Sequence, residues 1–220
     1  MIPVKILCTQ LIANVSDALR AALGIDRRFR SVALLSTDCD DATYIALDEA
    51  TKAANVEVVY ARSLYAGAVN ASTKLAGEVV GMLGGENPSE VRSGLNAAVA
   101  CLRGGVGFCA ADEAGSVVYL AHCVSRTGSY LSRLAKCPAG TALAYLIAPP
   151  VEATVALDAA LKAADVELAA FFAPPTETNF SGGLLTGSQS ACRAACDAFA
   201  KTVRRIAAHP LDTGGNHAVG

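Results

Sequence analysis

Ala46-Leu47-Asp48-Glu49-Ala50-Thr51-Lys52-Ala53-Ala54-Asn55-Val56-Glu57 returns 110 residues later as Ala156-Leu157-Asp158-Ala159-Ala160-Leu161-Lys162-Ala163-Ala164-Asp165-Val166-Glu167, with nine of twelve positions identical. Two alanine-rich helices matched by composition alone would not keep Asp, Lys and the Val-Glu exit in step, so the chain reads as a tandem duplication. Upstream, Ala42-Thr43 and Ala153-Thr154 extend the match at an offset of 111, which asks for one gap. A length of 220 residues accommodates two such units.

Working outward, each copy has the same order of patterns. An apolar lead-in strand comes first, Val4 to Ala13 and Val117 to Val124, followed by a helix at Ser16 to Leu23 and Thr127 to Leu134, with Ser16 and Thr127 as N-caps. A buried strand follows, Ser31 to Ser36 and Leu143 to Ala148. The repeated helix is next, with Leu47, Ala50 and Ala54 on one face at helical spacing. Val56 to Tyr60 and Val166 to Phe172 are rich in β-branched and aromatic residues and read as strands. A loop, Arg62 to Thr73 or Ala173 to Ser181, leads to a short apolar strand and a last helix, Pro88 to Leu102 or Ser188 to Ile206, with Pro88 at a helix start. Strands alternating with helices in each copy predict an α/β, or α+β sandwich, architecture with one sheet per copy. The polar, glycine-bearing stretch Ala110-Ala111-Asp112-Glu113-Ala114-Gly115 divides the copies.

Composition narrows the function classes. The chain is 53% hydrophobic and only 17% charged, less than the ~25% of an ordinary globular domain, which predicts extensive contact between subunits. Aromatics make up 5% and Trp is absent, so a deep aromatic pocket is not expected. A net charge of −2 with scattered Lys and Arg gives no support for nucleic-acid binding. No apolar run reaches the roughly 18 residues of a membrane span, and Met1-Ile2-Pro3-Val4-Lys5 lacks a signal peptide's pattern, so a soluble cytoplasmic protein is expected. Eight cysteines without a CxxC pair read as small buried hydrophobes kept reduced, with a disulfide or metal among them left open.

Four stretches carry a resemblance to a known family: Asp40-Asp41-Ala42-Thr43-Tyr44-Ile45-Ala46, Val56-Glu57-Val58-Val59-Tyr60-Ala61-Arg62-Ser63-Leu64-Tyr65-Ala66-Gly67-Ala68, Val124-Ser125-Arg126-Thr127-Gly128-Ser129-Tyr130-Leu131 and Leu185-Thr186-Gly187-Ser188-Gln189. They resemble the bacterial microcompartment shell proteins that carry two such domains per chain, over Lys5 to about Pro210. The resemblance implies two tandem, circularly permuted BMC domains with ferredoxin-like sheets and helices packed on them, at residues 1–110 and 111–212, followed by a flexible tail, 213–220. It implies a structural subunit, not an enzyme, in the shell of an ethanolamine-utilising compartment, where a homotrimer imitating a hexamer tiles with itself and with other shell proteins. No cofactor is required; cobalamin is implied as a transported or bound ligand.

The same resemblance places function at pores. Loops after the third strand of each domain would gate a central pore through Ser63, Leu64, Tyr65, Ala66 and Gly67 in copy one and Thr176, Glu177, Thr178, Asn179 and Phe180 in copy two. Gly67 and Gly182-Gly183 read as permissive hinges, and Pro174-Pro175 fixes one stem. A smaller pore in each subunit would bind ethanolamine at the positions matching the family's contacts: Asp40, Glu78, Phe108 and Thr178. Carboxylates suit a protonated amine in a site with little water.

Other constellations are weaker. Asp38, Asp40 and Asp41 lack the Gly and closing Glu of a calcium loop and read as turn residues. Cys192, Cys196 and His209 do not have a standard zinc spacing, and Gly84-Gly85 and Gly104-Gly105-Val106-Gly107 read as turns beside a helix rather than phosphate cradles. His122 has no nucleophile in a recognisable motif, and Cys123 faces the opposite side of a strand. The alternative to a shell subunit is a metabolite-sensing or catalytic protein whose duplicated domains enclose one ligand; it predicts a closed oligomer that never tiles.

Overall fold

The computed structural model describes residues 1–64, 78–174 and 180–211. The first copy runs β1 (Ile6–Ile12), α1 (Asp17–Ala22), β2 (Ser31–Thr37), α2 (Asp40–Ala53), β3 (Glu57–Leu64), β4 (Glu78–Gly85) and α3 (Pro88–Arg103). A two-residue strand, β5 (Cys109–Ala110), comes next. The second copy repeats the order as β6 (Val118–Val124), α4 (Ser129–Ala135), β7 (Ala142–Ala148), α5 (Pro150–Ala163), β8 (Val166–Phe172), β9 (Ser181–Gly187) and α6 (Gln189–Ala208).

The duplication extends to hydrogen bonding. One antiparallel sheet has the order β1-β2-β4-β3 and the other β5-β6-β7-β9-β8, so the four shared strands lie in the same sequence in both. Even the irregularity repeats, with a register shift at Val58/Tyr60 in β3 and at Leu168/Ala170 in β8. Helices α2 and α5 are both 14 residues long and start at 40 and 150, an offset of 110, whereas β2 and β7 start at 31 and 142, an offset of 111, so the single gap falls between the strand and the helix, a few residues before Thr43. β5 pairs with β6, so it belongs to the second sheet, and Asp112 closes the turn between them by accepting the N–H groups of Ser116 and Val117.

Local chemistry explains most element ends. Ser16 accepts the Leu19 N–H, Asn87 accepts the Glu90 N–H ahead of Pro88, and Ser188 accepts the Ala191 N–H at the start of α6. Two expectations fail. The N-cap of α4 is Gly128, and the Thr127 hydroxyl is buried with no hydrogen-bond partner among the described residues, because a carboxylate from the other copy caps this helix. Gly182 and Gly183 are not hinges. They lie inside β9, where a Cβ would stand 1.9 Å from the Leu146 carbonyl oxygen and 2.6 Å from that of Ala170, so they serve close strand packing. Gly84 and Gly85 likewise finish β4, while Gly104 caps α3 as a turn residue should.

The copies share a core. Buried residues of α2, α3 and β2, among them Leu35, Ile45, Leu47 and Val91, form one cluster with Val118, Leu120, Leu131, Leu143 and Tyr145 of the second half. A second cluster packs α5 and α6 onto β7 and β9 and includes Leu146, Leu157, Leu185 and Phe199, with Cys192 and Cys196 as buried thiols. Burial across the junction makes the two halves one folding unit.

Candidate functional site

The turn from β2 into α2 is built from hydroxyls. Thr37 accepts the Cys39 N–H and lies 2.6 Å from the Thr43 hydroxyl, which in turn donates to the Cys39 carbonyl. This buried knot starts α2 with two carboxylates in its first turn, Asp40 and Asp41, only 5% and 7% exposed. The helix N-terminus favours negative charge there. Asp40 accepts the Asp41 N–H at 2.8 Å and a bond from the Ser63 hydroxyl on β3. Asp41 accepts the Tyr145 hydroxyl at 2.7 Å from β7 of the other copy.

A cavity of about 230 Å³ opens beside the pair, between the two copies. The first half contributes Asp40, Asp41, Tyr44 and Ala61, and the second Tyr130, Leu134, Tyr145, Ile147, Phe172 and Phe180. Five of the chain's twelve aromatic residues therefore converge on one space, which overturns the expectation drawn from their scarcity. Ring centroids lie 6.1 Å apart for Tyr44 and Tyr130 and 6.2 Å for Tyr145 and Phe172.

Among the described residues no cation forms an ion pair with Asp40 or Asp41. Burial pushes Asp40 up to about 8, and the neighbouring Asp41 charge adds to it; burial also raises Asp41, to about 6, against the lowering effect of the Tyr145 hydroxyl. At neutral pH the pair therefore retains a proton. Tyr145 and Tyr130 are raised too, chiefly by burial, so both phenols remain neutral donors. Cys101 is raised to about 11 by burial, and Cys39 is raised well above the ordinary thiol value, so neither is poised as a nucleophile.

Of the four expected ethanolamine contacts, Asp40 lines the cavity. Phe108 is fully buried and meets the lining residue Phe180 edge-on, with centroids 5.5 Å apart. Glu78 heads β4 opposite Leu64, and its neighbour Val79 pairs with Ser63, the residue bonded to Asp40. Glu78 and Phe108 do not line the cavity itself. Thr178 lies outside the described residues, as do Tyr65, Ala66, Gly67, Thr176, Glu177 and Asn179 of the expected gating loops; Ser63, Leu64 and Phe180 lie at their stems. Sequence reasoning missed Asp41, Tyr44, Tyr130, Tyr145 and Phe172. Asp41 follows Asp40 and Tyr44 lies one helical turn further on, but nothing local pairs them with three rings from the other copy.

The junction has a second polar feature, on the repeated helix. Asp48 is fully buried, and its two oxygens accept the Gly128 and Leu131 N–H groups at 2.7 and 2.8 Å, capping α4. Thr51 accepts the Ser129 N–H, and Lys52 donates to the Arg126 carbonyl while standing 3.6 Å from Asp48. The repeat residues Asp48 and Lys52 thus hold copy one to copy two. Their counterparts Asp158 and Lys162 pair only with each other at 2.6 Å, 63% and 74% exposed.

Two tandem units of one topology, joined through a capped helix and a shared core, are the architecture of a shell-forming tandem BMC-domain protein. A model of the BMC domain matches residues 31–113. The bacterial microcompartment shell protein EutL of Clostridium perfringens is 63% identical over 94% of this chain and 95% of its own length. A crystal structure of EutL from Clostridium perfringens superposes with a TM-score of 0.91 at 61% identity, covering 98% of each chain. The ethanolamine utilisation protein EutL of Leptotrichia buccalis superposes with a TM-score of 0.90 at 57% identity, over 96% of this chain and 97% of that one. The chain belongs to the EutL family of bacterial microcompartment shell proteins, and is a structural subunit, not an enzyme. Among the described residues no helix is long and apolar enough to cross a membrane, and no cluster of three His, Cys, Asp or Glu could hold a metal.

Proposed function

We propose that this chain tiles the shell of an ethanolamine-utilising microcompartment in the bacterial cytoplasm, as a homotrimer whose six like units close a ring and whose flat array includes other shell proteins. The observation that carries the trimer is an unmatched face. In copy one the contact face of the repeated helix and its exit strand is buried: Ile45 on α2 is 1% exposed and Val58 on β3 6%. At the equivalent positions of copy two, Val155 and Leu168 are 43% and 46% exposed, and the Asp158 side chain is 63% exposed where Asp48 is buried. By the internal symmetry the missing partner is the α1 region of another chain, whose Leu19 is also exposed. A contact of this head-to-tail kind closes into a ring when the rotation allows, and three doubled units complete six positions.

Ethanolamine is the ligand this reading gives to Asp40, Glu78, Phe108 and Thr178. Asp40, Glu78 and Phe108 belong to adjoining parts of the junction, and Asp40 supplies a buried carboxylate without a cation. The segments 63–67 and 176–180 would gate the ring axis, and a ligand at Asp40 would reach both through Ser63 and Phe180. Cobalamin belongs here as cargo or ligand of the axial opening; the junction cavity, about 230 Å³, is below even the ~300–1,000 Å³ range of drug-sized pockets and does not fit a corrin. Domains at 1–110 and 111–212, permuted and followed by a tail at 213–220 that lies outside the described residues, complete the reading.

Sedimentation velocity and calorimetric titration test it together. A trimer that forms sheets at high concentration and binds ethanolamine once per chain is expected, with Glu78→Gln weakening binding at least tenfold. A protein that stays monomeric, or a closed oligomer that never tiles, removes the shell geometry; trimers that take up no ethanolamine remove the site alone.

A further inference from the structure

The cavity behind Asp40 has chemistry that a primary amino alcohol does not use. Its walls bring Tyr44, Tyr130, Tyr145 and Phe172 around the carboxylates of Asp40 and Asp41. We propose that this cavity is a second ligand site, an aromatic cage that takes an N-methylated ammonium in preference to a bare primary one. It goes beyond the ethanolamine site, because Glu78 and Phe108 do not line it and Asp40 is the one carboxylate common to both.

Three observations converge on that class. Two buried carboxylates with no ion-pair partner among the described residues keep a negative charge even with one proton held between them, which favours a cation over an anion. Aromatic residues line the space, and a cation within about 6 Å of an aromatic centroid is attracted to the negative face of the ring, which is how methylated ammonium ions are recognised. The acceptor inventory then separates the amines. A primary ammonium brings three N–H donors, each costly to bury unpaired. Here the carboxylate acceptors lie on one side only, at Asp40 and Asp41, while Ala61, Leu134, Ile147, Phe172 and Phe180 on the other walls offer an N–H no side-chain acceptor. A quaternary ammonium has no N–H to satisfy and buries its methyl groups against the rings.

Size agrees. At ~30 Å³ for each water-sized group, about 230 Å³ holds roughly seven, the number of non-hydrogen atoms in choline and nearly twice that in ethanolamine. The Tyr44–Tyr130 pair, with centroids 6.1 Å apart, spans the copies, while Tyr145 and Phe172, 6.2 Å apart, both come from copy two, so the cage is complete only where one half meets the other.

The test titrates the full chain with tetramethylammonium, choline, ethanolamine and the neutral isostere 3,3-dimethylbutan-1-ol, followed by calorimetry and by saturation transfer from aromatic protons to the N-methyl protons. Tetramethylammonium and choline are expected to bind saturably with transfer from the rings, and the neutral isostere at least tenfold more weakly. Phe172→Leu is expected to weaken tetramethylammonium binding several-fold while leaving ethanolamine unchanged, and Glu78→Gln to do the reverse. Unaltered melting of both variants keeps that comparison valid; if either misfolds, the isostere comparison and the transfer signal on the unsubstituted protein decide. Equal binding of cation and isostere, or no N-methyl transfer at millimolar cation, overturns the cage. Ethanolamine binding without tetramethylammonium binding overturns the cage and leaves the ethanolamine site standing; tetramethylammonium binding without ethanolamine binding does the opposite.

Discussion

Asp48→Ala and Asp158→Ala make the same change at equivalent points of the repeat and are expected to do different things. Asp48 is fully buried and accepts two backbone N–H groups of α4 at 2.7 and 2.8 Å. A hydrogen bond to a charged group contributes ~1.5–3 kcal/mol, and removing its acceptor leaves the buried donors unpaired. Gly128 has no side chain to take over the cap, and a Cβ there would lie 2.2 Å from the Thr51 hydroxyl. Allowing for partial relaxation and for non-additivity of the two bonds, Asp48→Ala should cost about 3–4 kcal/mol. Asp158 makes only an exposed helical ion pair, and losing it from an isolated chain should cost at most ~0.5 kcal/mol. If Asp158 caps α1 of a neighbouring chain, its loss appears instead in association, as at least a tenfold rise in the concentration needed for trimers. Urea unfolding below the assembly concentration measures the first quantity, and sedimentation velocity across a dilution series measures the second. Hydrogen exchange at Gly128 and Leu131 localises the Asp48 effect. The reasoning is refuted if Asp48→Ala costs less than ~1 kcal/mol, or if Asp158→Ala leaves assembly unchanged.

Two further outcomes are expected. Asp40 and Asp41 have folded-state values raised to about 8 and about 6, above the ~3.9 of an unfolded Asp, so between about pH 4 and 8 the folded chain binds more protons and stability falls as pH rises. His122, lowered chiefly by burial, acts in the opposite direction near and below its ordinary value, so the quantity to read is the difference between wild type and Asp40→Asn: denaturant midpoints should fall more steeply with pH in the wild type, and parallel slopes would contradict the burial argument. Gly182→Ala places a methyl 1.9 Å from the Leu146 carbonyl oxygen and should lower stability by ~2–4 kcal/mol through displacement of β9 from β7, whereas a hinge role would leave the melting temperature nearly unchanged.

The fold was largely legible because the repeat supplied two readings of each element. Where Asp, Lys and Val-Glu recurred, a helix and its exit strand could be placed twice, and α2 and α5 have equal lengths at that offset. Caps set by a residue's own side chain, such as Ser16 and Ser188, were readable from local chemistry. The cap of α4 was not, because its acceptor is 80 residues away in sequence. Glycines in β9 were misread for a related reason: the chemistry that favours a hinge also favours contact with a neighbouring backbone, and only strand order distinguishes them. Composition counted aromatics without locating them, so a low total concealed their concentration at one junction.

That concentration follows from the divergence of the copies. At the offset of 110 shared by α2 and α5, the positions of Asp40, Asp41 and Tyr44 are taken in copy two by Pro150, Val151 and Thr154. In the strands, Tyr145 has Leu34 as its counterpart and Phe172 has Arg62. Neither the acids nor these rings could be rebuilt where copy two meets the next chain. A ring of six identical units would have six equal junctions and could not combine a ligand-binding junction with one devoted to assembly. Duplication separates the tasks. The junction within the chain has the two carboxylates and their aromatic walls, protected because its halves cannot dissociate. The proposed junction between chains would use Asp158, Lys162 and an apolar face, which suits a contact that forms only on assembly. In the proposed trimer a ligand at the first junction would therefore occupy three places per ring, each bounded by Ser63 and Phe180 at the stems of the proposed gating segments, without disturbing the contacts proposed to hold the ring together.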